Sequence, residues 1–185
     1  MTARAVVLSL FFLVPAALRA TVLVPAEFRE VVTGSDIIAY GRVSETTTEW
    51  SDDRKRVDTL VTFQVGTYLK GGPGETLLFR VPGGTIGRFR NVLVGAPQFS
   101  AGDEAVLFLN SRGRDVPSIF GLNQGVFRVT LDGESRRRMV TPPLLARSDV
   151  PEVVVRGAAS RRMLPLETFG AHVLTVLGDA ARSAR

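Results

Sequence analysis

The segment Val57–Leu69 constrains the fold more than any other part of the chain. Val57, Thr59, Val61, Phe63, Val65, Thr67 and Leu69 fall at every second position, with Asp58, Thr62 and Gln64 between them. Side chains of a β-strand point alternately to its two faces, so this pattern predicts one long, half-buried strand. A strand of that length cannot leave its edges bare without inviting aggregation, so it needs partners on both sides. The flanking sequence supplies them. Ile37–Val43 reads as the preceding strand, joined through a polar hairpin tip at Trp50–Lys55. Gly71-Gly72-Pro73-Gly74 is a turn, after which Leu77, Phe79 and Val81 resume the alternation until Pro82-Gly83-Gly84 stops it.

Further along, Ala105–Leu109 is a continuous apolar run of the kind buried on both faces. Gly125–Leu131 alternates again, Asp132-Gly133 predicts a two-residue hairpin turn, and Arg137–Val140 is the returning strand. Thr85–Ser100 reads as loop, with a short strand at Asn91–Val94. Thr141–Met163 carries Pro142, Pro143 and Pro151 and offers only a strand at Val153–Val155. Helices are expected at the two ends. Pro25–Val32 places Phe28, Val31 and Val32 on one face. From Pro165 onward, Leu166, Phe169, Val173, Leu174, Val176, Leu177 and Ala180 recur at helical spacing, with His172 on the opposite side. The expected fold class is therefore mainly β: a small barrel of five to six strands, a short N-terminal helix, and an amphipathic C-terminal helix packed on the barrel.

Residues 1–20 carry the features of a secretory leader. Arg4 precedes Ala5–Leu18, an uncharged apolar run of 14 residues, shorter than the ~20 a membrane span needs. Cleavage is expected after Ala20, with Ala16 as the fallback site. The domain reading is a leader at 1–20, a barrel at 21–140, and an irregular segment plus helix at 141–185. The chain has no cysteine, which excludes disulfides, thiolate nucleophiles and thiolate metal sites. Export without disulfides fits a bacterial periplasmic or extracellular protein. The formal net charge is +5, falling to +3 once Arg4 and Arg19 are removed. Only Lys55 and Lys70 among the 23 basic residues are lysine, a skew that reads as codon usage more than as a nucleic-acid surface.

Phe28, Ser35-Asp36-Ile37-Ile38, Gly41 and Val43, then Tyr68-Leu69-Lys70-Gly71, and later Phe99, Gly102 and Ala105-Val106-Leu107 form a pattern that resembles netrin-like domains. These are the oligonucleotide/oligosaccharide-binding (OB) type barrels found in tissue inhibitors of metalloproteinases. The chain is also similar to a group of exported bacterial proteins, through Val81-Pro82-Gly83-Gly84 and Gly95-x-Pro97-x-Phe99. The resemblance spans Phe28–Val129 and implies an OB-like fold. Tissue inhibitors chelate the protease zinc through an N-terminal cysteine pinned by disulfides. This chain has neither, so that mechanism does not carry over.

Candidate sites are few. His172 is the only imidazole and is expected on a solvated helix flank; no Gly-x-Ser-x-Gly accompanies it. Asp52/Asp53 and Asp103/Glu104 are carboxylate pairs able in principle to do acid–base work, although both sit in turns. Glu45, Glu49, Asp52, Asp53 and Asp58 could supply calcium oxygens, interrupted by Arg54, Lys55 and Arg56. Pro82–Arg88 offers glycines for a nest of backbone N–H groups, with Arg88 and Arg90 beside it to hold an anion; turn-forming glycines are the plainer account. Phe63, Phe79 and Phe108 are patterned for the core, and Arg136-Arg137-Arg138 is a short basic run, so no nucleic-acid partner is expected.

The leading expectation is a non-enzymatic interaction module, without cofactor or metal, that binds a protein or glycan. Contacts are placed at Trp50, Gly83, Gly84, Arg88 and Phe89. A narrower version makes the partner an extracellular metalloprotease. The alternatives are a carboxylate-dependent hydrolase and an envelope structural component.

Overall fold

The structure, a computed structural model, describes residues 25–51, 53–72, 74–113, 115–143 and 163–183. The leader segment and the strand expected at Val153–Val155 lie outside them.

The fold is mainly β, with a large sheet and a C-terminal helix. Helix α1 (Phe28–Gly34) comes first. It begins later than expected because Glu27 stays extended (φ −70°, ψ 152°) and caps it, its N–H donating to the Glu30 carboxylate at 2.8 Å. Strands β1 (Ile37–Trp50) and β2 (Val57–Lys70) then form a long antiparallel hairpin, running well beyond the strand expected at Ile37–Val43. After them come β3 (Thr76–Pro82), β4 (Gly84–Ile86), β5 (Phe89–Asn91), β6 (Glu104–Asn110) and β7 (Ser118–Ile119). The remaining elements are β8 (Val126–Leu131), β9 (Arg138–Thr141), β10 (Leu164–Pro165) and α2 (Leu166–Ser183).

The strand count exceeds the five or six expected. The additions β4, β5, β7 and β10 are two- or three-residue pieces, too short to show any period. The loop reading of Thr85–Ser100 is corrected: β4 and β5 pair as a small hairpin, and Val92–Val94 is not strand. The turn before β9 is also longer than two residues. Arg136 N–H bonds back to Asp132 O, and the Asp132 carboxylate takes the Ser135 N–H and hydroxyl.

Pairing runs β1–β2, β2–β3, β3–β7, β7–β6 and β6–β1, so the succession returns to its first strand. The β3–β7 contact is parallel and the other four are antiparallel. From β6 the sheet continues outward through β8, β9 and β10.

Two apolar clusters use opposite faces of these strands. One holds Ala39, Val43, Val61, Phe63, Phe79, Val81, Leu107 and Leu109. The other holds Ile38, Val106, Phe108, Phe127 and Val129, covered by Phe28, Val31 and Val32 of α1 and Phe169 and Val173 of α2. Strand β6 serves both, its odd residues 105–109 in the first and Val106 and Phe108 in the second, as its unbroken apolar run implies. The strict alternation of β2, by contrast, slips. Tyr40 faces Thr67 and Gly41 faces Val65, leaving Gly66 as an extra residue; Leu69 is skipped in the same way. These bulges turn Tyr68 toward the first cluster and Leu69 toward the second, not Thr67 and Leu69 together.

Helix α2 buries Phe169 and Val173 but leaves Leu174 exposed. His172 is not the solvated residue the helical pattern implied. Its ring stacks flat on Phe28, 5.2 Å between centroids and 4° from parallel, and so joins the α1–α2 contact. Lys70, the last residue of β2, donates from Nζ to the Thr33 and Ser35 carbonyls at the C-terminal end of α1, where a cation is favoured.

Candidate binding surface

At one end of the molecule the β4–β5 hairpin lies against the β1–β2 hairpin, held by side-chain and backbone hydrogen bonds. Thr48 Oγ1 donates to Thr85 O (3.0 Å) and Thr59 Oγ1 to Gly83 O (2.7 Å). Gly83 N–H and Asn91 Nδ2 both donate to Val57 O, at 3.0 and 3.3 Å. The approach is close enough to require glycine at position 84. A Cβ there would sit 2.8 Å from Thr48 Cγ2 and 2.9 Å from Thr59 Oγ1, at φ +154°. Gly83 and Gly84 therefore seat the hairpin. The alternative of an anion-holding nest finds no support, since the Gly83 N–H is already bonded. The favoured reading of plain turn glycines is corrected in that residues 84–86 form a strand.

That seating brings together three of the residues singled out in the sequence. The Trp50 and Phe89 rings meet edge to face at 5.4 Å and 70°, and the Arg88 guanidinium lies 5.5 Å from the Phe89 centroid. Trp50 remains 37% exposed and Phe89 52%. Just after β5, Val92, Leu93 and Val94 are also exposed, Val94 to 90%. They lead into a turn closed by Ala96 N–H to Leu93 O at 3.0 Å. A groove of about 530 Å³ runs beside them, lined by Thr46, Thr48, Thr59, Leu93, Pro97 and Phe99 among others. The sequence reading placed Val92–Val94 in a strand and missed their exposure. Their lack of period two with any buried partner was the available hint.

A second cleft, of about 380 Å³, contains Arg42, Asp103, Glu104, Arg128 and Arg138. Glu104 accepts from Arg42 (2.6 Å), Tyr40 Oη (2.8 Å) and Arg138 Nε (2.9 Å). Partial burial pushes its pKa up, but these hydrogen bonds outweigh that and hold it at about 2. Burial and the bond to Glu104 push the Tyr40 phenol up. Asp103 accepts from Arg128 Nη1 (2.7 Å) and from Ser100 N–H (3.0 Å). Arg128 also donates to Gln98 O and lies 5.0 Å from the Phe99 ring, fastening residues 98–103 to β8. The turn reading holds for Asp103, which closes the turn by donating its N–H to Ser100 O (3.1 Å), but Glu104 opens β6. Both carboxylates are half-buried and meet arginines far away in sequence, partners that no local spacing reveals.

The acidic residues near the β1–β2 tip do not form a cage. Glu49 pairs with Arg80 at 3.0 Å, and Asp58 lies 4.0 Å from the same guanidinium. The Asp53 carboxylate is taken by Ser51 Oγ and the Lys55 N–H; Asp52 lies outside the described residues. Among the described residues no three His, Asp or Glu side chains converge to hold a metal ion. No described helix is long and apolar enough to cross a membrane.

No protein-family model matches the chain, and no curated protein or solved structure matches it either.

Proposed function

We propose that this chain is an exported, non-enzymatic interaction module, an OB-like closed β-barrel of the netrin-like kind that meets its partner through the Trp50–Phe89 end. The barrel reading is supported by the circuit of pairings through β1, β2, β3, β7 and β6 and by the parallel β3–β7 contact. The observation that carries the binding reading is the exposed Trp50–Phe89–Arg88 stack on a hairpin fixed by threonine hydroxyls. Aromatics anchored on a rigid base are preferred contact residues, because little side-chain freedom is lost when they bind. A carboxylate-dependent hydrolase finds less support, since the Glu104 carboxylate is already engaged by Arg42, Tyr40 and Arg138 and Asp103 by Arg128.

The test is photo-crosslinking in cells from a reactive amino acid at position 89, compared with the Trp50→Ala variant. Specific adducts at Phe89 that weaken at least fivefold in Trp50→Ala are expected. Undiminished adducts in the variant, or none in the parent, overturn the placement. Extracellular metalloproteases belong among the partners tried, because the netrin-like resemblance implies them.

A further inference from the structure

We infer that the partner met by this end of the molecule is the surface of an anionic lipid bilayer. The inference rests on the reading above that the Trp50–Phe89 end is the binding surface, and it assigns the chemistry of what is bound.

Three observations carry it. The exposed apolar side chains Phe89, Val92, Leu93 and Val94 occupy a hairpin and the turn after it, so they project outward. Exposed cations lie on the same two hairpins, which meet at Trp50 and Phe89: Arg88 and Arg90 on one, and Arg54, Lys55 and Arg56 in the β1–β2 turn of the other. None of these five forms an ion pair with a described acid. Finally, Gly84–Ser100 contains no Asp or Glu at all. Among the described residues, the acids nearest this turn are already engaged, Asp53 by Ser51 and the Lys55 N–H and Glu49 by Arg80.

An apolar projection beside exposed cations that form no ion pair with a described acid matches an interface whose interior is hydrocarbon and whose rim is phosphate. Apolar side chains enter the headgroup–acyl boundary while arginines stay with the phosphates. Trp50, at the base of the projection, lies where indole rings favour the headgroup layer. An acidic protein would answer the charge equally well. It would also have to offer a hollow for Val94, which the bilayer provides without a matching shape.

Trp50 is the only tryptophan, so its emission reports on this end alone. The full chain is titrated with phosphatidylglycerol vesicles, phosphatidylcholine vesicles and inorganic phosphate. A blue shift is expected with the first only, reversed by added salt. Leu93→Asp with Val94→Asp should weaken vesicle binding at least tenfold. Arg88→Gln with Arg90→Gln should weaken it by roughly fivefold per cation. All four positions are exposed, and circular dichroism checks that the fold is kept. Any contribution from residues 1–24 is common to parent and variants. Unshifted Trp50 emission with phosphatidylglycerol, or variants that bind like the parent, overturns the lipid assignment. If position 89 still crosslinks to a protein in that case, the lipid assignment falls and the binding-surface reading stands. If neither vesicle nor protein is engaged, both fall.

Discussion

Two aromatic assemblies in this molecule share a geometry and differ in what lies over them. Phe28, Phe108, Phe127 and Phe169 meet at centroid distances of 5.0 to 6.3 Å, mostly edge on, beneath two helices. Trp50 and Phe89 meet at 5.4 Å and 70°, with water over them. Ring geometry therefore does not separate a core from a contact surface. Coverage does. The first group is sealed by Val31, Val32, Val173 and the His172 stack; the second rests on a hairpin fixed from below by Thr48 and Thr59.

The contrast can be broken most directly by truncating one ring from each group. Phe169→Ala should cost about 3–5 kcal/mol, since a fully buried ring leaves a cavity among its neighbours. Phe89→Ala should cost less than about 1 kcal/mol, because solvent already reaches that ring. Urea unfolding of both variants measures the difference, and equal losses would erase the distinction.

Gly84→Val sharpens the comparison from the other side. Its Cβ meets Thr48 and Thr59 at under 3 Å, so the hairpin should lift and the fold lose about 2–3 kcal/mol. Trp50 emission should move toward that of a solvated indole while the near-ultraviolet signal of the phenylalanine cluster persists.

Glu104→Gln acts on neither assembly and should cost at most about 1 kcal/mol, because the Arg42 and Arg138 side chains that lose their carboxylate are more than half exposed. The sign of the pH dependence follows from a pKa lowered from 4.5 to about 2. The folded state gains from the ionised form, so this contribution is complete above about pH 4.5 and disappears as pH falls through 2. Melting temperatures between those limits should fall for the parent more steeply than for Glu104→Gln.

What the sequence disclosed depended on the length of each pattern. Strand β2 was legible because period two runs through it up to the Gly66 bulge, and the double-faced β6 because its apolar run is unbroken. Helix α2 was legible from its face, although Leu174 is exposed and His172 is half-buried against Phe28. The β4–β5 hairpin was not, because three-residue strands exposed to water and held by threonine hydroxyls carry no apolar rhythm. The Gly66 bulge was hidden for a related reason: glycine has no side chain to register on either face. Trp50, Arg88 and Phe89 were each chosen from the sequence as separate candidates, but their contact depends on tertiary placement. The Glu104 arginines were illegible, being on strands far apart in the chain.

The ladders that join β1 to β2, β2 to β3 and β6 to β1 are long, whereas β7 has two residues and touches β3 through the single pair Arg80–Ser118, aided by Arg80 N–H to Pro117 O. Short ladders open at lower free energy than long ones. The circuit of pairings thus has a clasp at Ser118–Ile119, and opening is expected to begin there. Amides of these two residues are expected to exchange with solvent before those of the long hairpin and its aromatic tip.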